Sequence, residues 1–265
     1  HSTTNLFCEM VLVTDSHIIL IVGVVSCSFA QQTQRKLVWE ENFNGKTLDE
    51  KVWNIEIGDG CPNCGWGNNE RQLYTDSNHA IEKGNLVIKA KKEGNKYTST
   101  RINTKSKKEF QYGRFEIRAK LPVANGLWPA FWMLGSNFKE AGWPKCGEID
   151  ILEYVGREPH VIFNSLHTQD SHGNTINTKK TTIPDIEKGY HLYAIDWDKD
   201  KIAFYVDNQL TYTFQPKEKN ENTWPYNQPF YFLANLAIGG NFGGQIVDDA
   251  ALPDYFYIDY IKVYQ

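Results

Sequence analysis

Residues 113–121 read Gly-Arg-Phe-Glu-Ile-Arg-Ala-Lys-Leu. Apolar side chains at every second position alternate with charged ones, so the segment has the period of two that is typical of a β-strand. Such a strand buries one face and leaves the other in contact with solvent. The segment therefore predicts a sheet that packs on a hydrophobic core through one side.

The same alternation continues over residues 193–214, where short polar turns at 198–200 and 207–208 separate three apolar stretches. This pattern predicts an antiparallel three-strand meander. Residues 230–238 are almost continuously apolar and predict a strand buried on both faces. No segment has a long helical period. Many short strands joined by Gly, Asn and Asp turns predict an all-β sandwich or barrel, with a single domain over residues 31–265.

The composition limits the classes of function. A formal net charge of −4 provides no basic surface for nucleic acid, so we expect no nucleic-acid partner. Aromatic residues make up 14% of the chain, with 8 Trp and 14 Tyr among them. Trp and Tyr are well suited to stacking on sugar rings, although a sandwich core also uses them. A neutral polymer is therefore compatible with this chain as a partner.

The first 30 residues have features of a targeting segment. Residues 18–25 are apolar apart from Gly23, which is a length typical of a signal peptide and short for a membrane span. Ser28-Phe29-Ala30 resembles a small-x-small cleavage site, but no Lys or Arg precedes Arg35. We therefore expect residues 1–30 to be a signal segment or an added sequence, and the protein to be secreted.

A second interpretation of the same region is lipidation. Val24-Val25-Ser26-Cys27 resembles a bacterial lipobox, which would make Cys27 the lipid-bearing residue of a cell-surface lipoprotein. Contact with a membrane is expected only in that case.

The apolar segment Gly147–Tyr154 contains three carboxylates in a stretch of six residues: Glu148, Asp150 and Glu153. In a regular strand Glu148 and Asp150 share one face and Glu153 points to the other. One β-bulge between Asp150 and Glu153 would bring all three to one face and send the aliphatic residues between them into the core. The segment is then either an inert, solvated strand or a row of acids along a groove. Retaining glycoside hydrolysis needs two such carboxyls, and crowding three acids should raise the pKa of at least one.

Residues 148–159, Glu-Ile-Asp-Ile-Leu-Glu-Tyr-Val-Gly-Arg-Glu-Pro, resemble the active-site signature of glycoside hydrolase family sixteen, in the form typical of its laminarinase branch. Five further segments resemble family segments in the family's order. They are Gly65-Trp-Gly-Asn-Asn-Glu70, Gln111-Tyr-Gly-Arg-Phe-Glu116, Trp128-Pro-Ala-Phe-Trp-Met133, Leu236-Ala-Ile-Gly-Gly240 and Ile258-Asp-Tyr-Ile-Lys-Val-Tyr264. The resemblance implies a β-jelly roll of two curved antiparallel sheets with a substrate cleft across the concave face.

The resemblance also implies roles for individual residues. Glu148 would be the nucleophile, Asp150 its helper and Glu153 the general acid/base of an endo-β-1,3-glucanase that acts by double displacement without a catalytic cofactor. The implied substrate-binding residues are Trp128, Trp132 and Trp143 as sugar platforms, with Asn69, Glu70, Arg101 and His167 as polar partners. Each tryptophan could instead belong to the core, and His167 could be a structural histidine.

A structural calcium ion is a further expectation, because family members often bind calcium away from the catalytic site. Asp259, with backbone carbonyls near Glu41 and Gly84, matches that arrangement. The lone C-x-x-C at Cys61 and Cys64 has no second pair to complete a zinc site. A local disulfide and two free thiols both remain open for this pair.

Other functions stay open beside laminarin hydrolysis. The same signature occurs in enzymes that act on marine galactans such as agarose, and mixed β-1,3-1,4-glucan is a second glucan substrate. Transglycosylation uses the same covalent intermediate. A non-catalytic β-glucan-binding protein on this scaffold would have lost the catalytic glutamates, whereas Glu148 and Glu153 are both present. We expect a monomer that binds polysaccharide.

Overall fold

The structure is a computed structural model that describes residues 35–265. The expected targeting segment and the lipidation site at Cys27 lie outside these residues and stay predictions. Within residues 35–265, no helix is both long enough and apolar enough to cross a membrane.

The described part of the chain is built almost entirely of strands, which confirms the all-β prediction. The strands are β1 (Leu37–Glu41), β2 (Asn54–Glu56), β3 (Gln72–Tyr74), β4 (His79–Glu82), β5 (Asn85–Glu93), β6 (Lys96–Ser99), β7 (Arg101–Asn103), β8 (Glu109–Phe110), β9 (Gly113–Lys120), β10 (Leu127–Gly135), β11 (Glu148–Glu153), β12 (Val161–His167), β13 (Thr178–Thr182), β14 (His191–Trp197), β15 (Ile202–Val206), β16 (Gln209–Phe214), β17 (Phe230–Ile238) and β18 (Asp254–Tyr264). Two one-turn helices, α1 (Phe138–Ala141) and α2 (Gly240–Gly243), and two 3₁₀ turns, Cys64–Gly67 and Asp249–Ala251, complete the elements.

The strands form two sheets that are antiparallel except for the pairing of β3 with β6. The first sheet has the order β16-β15-β14-β9-β18-β5-β6-β3, with β1 beside β18 and β4 beside β5. The second has the order β13-β12-β11-β10-β17-β7-β2, with β8 beside β17. Strands that are distant in sequence are therefore neighbours in space, as β18 and β9 are.

The predicted strands occur where the sequence patterns placed them. In β9 the side chains of Phe115, Ile117 and Ala119 are fully buried and alternate with half-buried charged residues. The three-strand meander is β14-β15-β16, and all nine residues of β17 are buried.

The hydrophobic core lies between the sheets and receives side chains from both. Ile149, Ile151 and Leu152 of β11 belong to it, and so do Phe115 of β9 and Phe232 of β17. Burial of these aliphatic and aromatic side chains is the main force that holds the sheets together. Because the core anchors β11 through its aliphatic residues, the acids of that strand must lie on its opposite face.

Candidate active site

A β-bulge in β11 brings its three acids to one face of the sheet. The pairs Glu148–His167 and Asp150–Ser165 follow one register with β12, but Glu153 pairs with Phe163, one residue out of step. The pairing of β11 with β10 shifts at the same place. The predicted bulge between Asp150 and Glu153 is therefore confirmed, and the extra residue restores the parity that puts Glu153 beside the other two acids.

Each outer acid of the row receives an indole hydrogen bond. Trp143 Nε1 donates to Glu148 Oε2 over 2.7 Å, and Trp128 Nε1 donates to Glu153 Oε1 over 3.1 Å. Asp150, between them, faces His167, whose Nε2 lies 3.2 Å from Asp150 Oδ2 and 3.8 Å from Glu148 Oε1. The indole bonds hold the two outer carboxyl groups in place without adding a formal charge.

Burial and crowding perturb the pKa values of two of the acids. Burial, followed by the neighbouring Glu148 carboxylate, raises the pKa of Asp150 well above its ordinary value. Burial raises the pKa of Glu153 well above its ordinary value as well, and the charges of Asp150 and Glu148 act in the same direction. His167 and the indole of Trp128 oppose that shift. A carboxyl group that keeps its proton near neutral pH is the chemical requirement for a general acid.

The acids line a cleft of about 1010 Å³ on the face of the second sheet that points away from the core. Trp128, Trp132 and Trp143 all contribute to its walls, and Trp132 also packs against the small buried cluster of Leu134, Cys146, Tyr231 and Leu233. Glu70, Arg101 and His167 also line the cleft. The concave site combines aromatic surfaces with a few polar groups, which is the usual character of a small-ligand or sugar-binding site.

Asn69 differs from the other sequence-predicted residues, because it does not line the cleft. Its backbone is left-handed, with φ 56°, and its side-chain Nδ2 donates to Asn241 Oδ1 over 2.8 Å. The neighbouring Asn68 and Asn241 line the cleft in its place. Asn68 Nδ2 also donates to Glu70 Oε1 over 3.1 Å. The link between Asn69 and the cleft is therefore indirect and runs through its hydrogen bond to Asn241.

Arg101 lies on the cleft wall as predicted, but its charge is already paired. Its Nε is 2.6 Å from Glu56 Oε2, and its guanidinium lies 4.4 Å from the ring centroid of Trp66 and 4.9 Å from that of Trp132. The planar cation is thus held between two indoles. Arg101 therefore supports the aromatic side chains of the cleft wall, in addition to offering hydrogen-bond donors there.

A buried hydrogen-bond chain supports the same wall from beneath. Trp132 Nε1 donates to Asn235 Oδ1 over 2.8 Å, and Asn235 Nδ2 donates to Tyr74 Oη over 3.2 Å. Tyr74 Oη in turn donates to Glu70 Oε2 over 3.4 Å. Burial raises the pKa of Glu70, although amide bonds from Asn68 and Gln72 oppose the shift. The chain links two side chains that line the cleft, Trp132 and Glu70, to the buried hydroxyl of Tyr74.

Several cleft residues were missed by reasoning from the sequence. They are Glu56, Trp66, Asn68, Lys105, Phe138, Tyr231, Asn235, Asn241 and Phe242. Trp66 and Asn68 fall within the quoted segment 65–70, so that segment carried a usable signal. Asn235, an amide in the otherwise apolar β17, was also a detectable anomaly, because a polar side chain inside a buried strand requires a partner.

Two groups of side chains in the described residues have the donor types and proximity of a metal site. Glu148, Asp150 and His167 have ligating atoms within 4.8 Å of one another. Asp59, Cys61 and Cys64 form the other group, but the two sulfurs are joined in a disulfide and are not free thiolates. The disulfide also resolves the alternatives for this C-x-x-C in favour of the cross-link.

The residues expected to bind calcium converge at one point of the first sheet. β1 ends at Glu41 beside Ile261, and β5 begins one residue after Gly84 and pairs with β18 up to Ile258. Asp259 is the extra residue of a bulge at the gap between these two partners. Its Oδ2 accepts a hydrogen bond from Arg118. The donors at this point are oxygens, the type that Ca²⁺ prefers.

Comparison with known proteins gives a consistent result. The model of the glycosyl hydrolases family 16 matches residues 67–262. A β-glucanase of Rhodothermus marinus is 38% identical over 248 residues, which cover 87% of this chain and 85% of that protein. A glucan endo-1,3-β-glucosidase of Cryptopygus antarcticus is 38% identical over 263 residues, covering 89% and 94% respectively.

A solved structure is also similar. The crystal structure of a laminarinase from Flavobacterium sp. UMI-01 superposes with a TM-score of 0.86 at 72% sequence identity, and the match covers 87% of this chain and 100% of that one. This similarity confirms the jelly-roll prediction. The carboxyl chemistry of the family needs no catalytic cofactor. From the family model, the relatives and the fold together, this chain belongs to glycosyl hydrolase family 16.

Proposed function

We propose that this protein is an endo-β-1,3-glucanase that hydrolyses internal β-1,3 bonds of laminarin-like glucans with retention of configuration. The observation that carries the proposal is the bulged strand β11, which presents Glu148, Asp150 and Glu153 in one row along the cleft. The laminarinase of 72% identity and the glucan endo-1,3-β-glucosidase of 38% identity support the choice of substrate. Mixed β-1,3-1,4-glucan is a second substrate of the same class.

The reaction uses Glu148 as nucleophile and Glu153 as general acid. Glu148 attacks the anomeric carbon while Glu153 donates its proton to the glycosidic oxygen, which leaves as the hydroxyl of the released sugar. Glu153, now ionised, removes a proton from water, and the resulting hydroxide displaces Glu148 from the anomeric carbon. Two inversions give net retention.

The surroundings of the two acids support this division of roles. The raised pKa of Glu153 keeps its proton available, while Glu148 is the more exposed carboxyl, with 16% of its side chain accessible. Asp150 lies between Glu148 and His167 and orients the Glu148 carboxylate for attack. Trp143 and Trp128 hold the two reacting carboxyls in position through their indole N–H groups.

The charges of the cleft favour a neutral glucan over a sulfated galactan. Arg101 is paired with Glu56, and Lys180 Nζ lies 2.8 Å from Glu158 Oε1. Lys105 Nζ lies 5.0 Å from the ring centroid of Phe138. Arg101 and Lys180 offer little to a sulfate group, because binding it would require breaking their existing pairs. Lys105 has no carboxylate partner among the described residues, so the cleft wall offers one such cation to an anionic polymer.

Product analysis after brief digestion of laminarin, lichenan, agarose and carrageenan tests the proposal. A ladder of oligosaccharides from laminarin, with both galactans untouched, is the expected result. Cleavage of a galactan alone would keep the fold and overturn the substrate. Absence of products from all four polymers would favour the glucan-binding alternative.

Calcium bound by Asp259 and the carbonyls near Glu41 and Gly84 is a second proposal, supported by their convergence beside β18. The ion would tie the end of β1 to the start of β5. Differential scanning calorimetry should show a lower melting temperature after EDTA treatment and recovery with CaCl₂. An Asp259→Asn variant should lose this response, and an identical response in that variant would place the ion elsewhere.

We further propose that the protein is exported and acts as a monomer. Residues 18–30 support export through their apolar run and their small-x-small sequence. Edman sequencing or intact mass of the protein from the growth medium would identify the mature N-terminus, and a lipid adduct on Cys27 would distinguish a lipoprotein from a free secreted enzyme.

A further inference from the structure

We propose that the loop of residues 58–70, which contains the Cys61–Cys64 disulfide, is a substrate-binding wall in which Trp66 contacts sugar units bound beyond the catalytic row. The disulfide is the positioning element, because it holds Trp66 against the cleft. This inference rests on the proposed function, since it concerns how the same cleft binds a long glucan. It assigns a binding role to Trp66 and a positioning role to the Cys61–Cys64 disulfide, both of which lie outside the catalytic strand β11.

The loop forms one wall of the cleft. The cleft is lined by six of the thirteen residues of this loop: Gly60, Asn63, Trp66, Gly67, Asn68 and Glu70. No other loop of comparable length among residues 35–265 supplies as many lining residues. The loop is therefore part of the cleft and not a peripheral insertion.

Trp66 extends the aromatic surface away from the reacting acids. Its ring lies on the Arg101 guanidinium, which lies on Trp132, and Trp132 is paired with Asp150. Arg101 is on β7, three strands from β11 in the order β11-β10-β17-β7. At about 4.8 Å per strand, the Trp66 end of this row is roughly 14 Å from the acids. A sugar bound there is not the one that reacts.

The conformation of the loop is costly. Gly65 and Trp66 are consecutive left-handed residues, with φ 66° and 56°, a conformation that a residue with a bulky side chain rarely adopts. Trp66 Nε1 is buried without a hydrogen-bond partner, which adds a desolvation cost. A Cβ at Gly60 would lie 2.9 Å from the Trp66 backbone, so the chain is tightly folded there.

Backbone hydrogen bonds to other segments hold the two ends of the loop: Gly58 and Tyr74 exchange two of 2.9 Å, and Asn241 N–H donates to Asn68 O over 2.7 Å. Between these ends the disulfide is the covalent restraint on the chain. Cys61, Pro62, Asn63 and Cys64 are exposed, so this part of the loop buries no side chain in the core. The backbone bonds Gly65 N–H to Asp59 O, 2.8 Å, and Gly67 N–H to Asn63 O, 3.2 Å, are local. A covalent link across such a segment removes open conformations that the chain would otherwise populate. The cross-link thus selects the conformation in which Trp66 faces the cleft.

Opening the disulfide should weaken binding and leave chemistry alone. A dithiol reduces the bond by thiol–disulfide exchange: the two cysteine sulfurs gain two electrons and two protons, and the dithiol becomes a cyclic disulfide. Glu148 and Glu153 are carried by β11 and do not depend on the loop. We expect KM for long laminari-oligosaccharides to rise about threefold to tenfold, the range for loss of one aromatic contact, with kcat within about twofold of wild type.

The experiment compares wild type, the double variant Cys61→Ser/Cys64→Ser and Trp66→Ala, each with and without dithiothreitol. Hydrogen–deuterium exchange over residues 58–70 reports the loop directly and needs no activity. Expected are faster exchange and higher KM in reduced wild type and in the double variant, with no further response of the double variant to dithiothreitol. Trp66→Ala should raise KM to a similar extent, and short oligosaccharides that do not reach the loop should be unaffected in all three.

Two results would overturn the inference. One is an unchanged KM in both the double variant and Trp66→Ala while wild type cleaves laminarin. The other is a parallel loss of kcat with a melted far-UV spectrum, which would make the disulfide a requirement for the fold. If wild type cleaves none of the glucans, the proposed function has failed instead, and exchange over residues 58–70 still decides whether the disulfide orders the loop.

Discussion

Replacing Trp128 by Phe should shift the alkaline limb of the pH–rate profile upward. The change removes the indole N–H that donates to Glu153 Oε1 over 3.1 Å and keeps an aromatic ring in the cleft wall. That hydrogen bond favours the ionised form of Glu153 and so lowers its pKa against the larger effect of burial. Without it the pKa of Glu153 rises, and the general acid keeps its proton to higher pH.

The size of the shift follows from the strength of the bond. A hydrogen bond to a charged group contributes about 1.5–3 kcal/mol, and the protonated acid retains roughly 1 kcal/mol of it as a neutral bond. The difference is on the order of 0.5–2 kcal/mol, with a midpoint of about one pKa unit at 1.36 kcal/mol per unit. Activity is lost as pH rises through the pKa of the acid, so the limb moves to higher pH by about one unit.

The assay is kcat/KM on laminarin from pH 4 to 10, which reports ionisation in the free enzyme. Trp132→Phe is the matched control: it makes the same chemical change in the same wall, but its indole donates to Asn235 Oδ1 and not to a carboxylate. The control should weaken binding without moving the limb. A Trp128→Phe limb that stays in place or moves down would refute the role of Glu153 as the acid, and an equal shift in Trp132→Phe would refute the role of this hydrogen bond.

Three further predictions concern the acids. Glu148→Ser should lower kcat on laminarin by roughly 10³-fold or more with an unchanged circular dichroism spectrum, whereas Glu140→Ser on the exposed α1 should be neutral; activity like that of wild type in Glu148→Ser would exclude it as nucleophile. Glu153→Ala should lose far more activity on laminarin than on an activated aryl glycoside, whose leaving group needs no proton, and equal losses on both substrates would argue against the acid role. Glu153→Gln should melt about 3 °C or more above wild type at pH 8 but near it at pH 4. The folded-state pKa of Glu153 is raised, so the stability that this carboxyl contributes is complete below its unfolded-state pKa and declines as pH rises toward the folded-state pKa. A difference in melting temperature that does not vary with pH would contradict the raised pKa.

The sequence predicted those features that depend on local periodicity. Alternation in residues 113–121 identified β9, and the parity of Glu148, Asp150 and Glu153 required the bulge that β11 contains. In both cases the two faces of a strand differ in polarity, so the pattern itself encodes which side is buried. Family resemblance then linked the acids to a known chemistry.

The remaining parts of the site depend on pairings between distant segments. The wall made by Trp66, Arg101 and Trp132 exists because β7 and β10 both pair with β17, and no local pattern specifies that order. The choice of Asn68 over Asn69 depends on one left-handed residue in a turn. Such a turn fixes a single backbone angle without changing hydrophobicity, so the periodicity of the sequence carries no signal for it.

Covalent trapping of the nucleophile tests the central claim most directly. A 2-deoxy-2-fluoro laminaribiosyl fluoride should form a stable glycosyl-enzyme, because the fluorine at C2 slows both displacements while the reactive fluoride leaving group at C1 restores the rate of the first one only. Trypsin would release the adduct on residues 146–157, which contain all three acids, so tandem mass spectrometry must assign the modified residue. The account predicts the sugar on Glu148. A sugar on Asp150 or Glu153, or hydrolysis without any trapped intermediate, would contradict it.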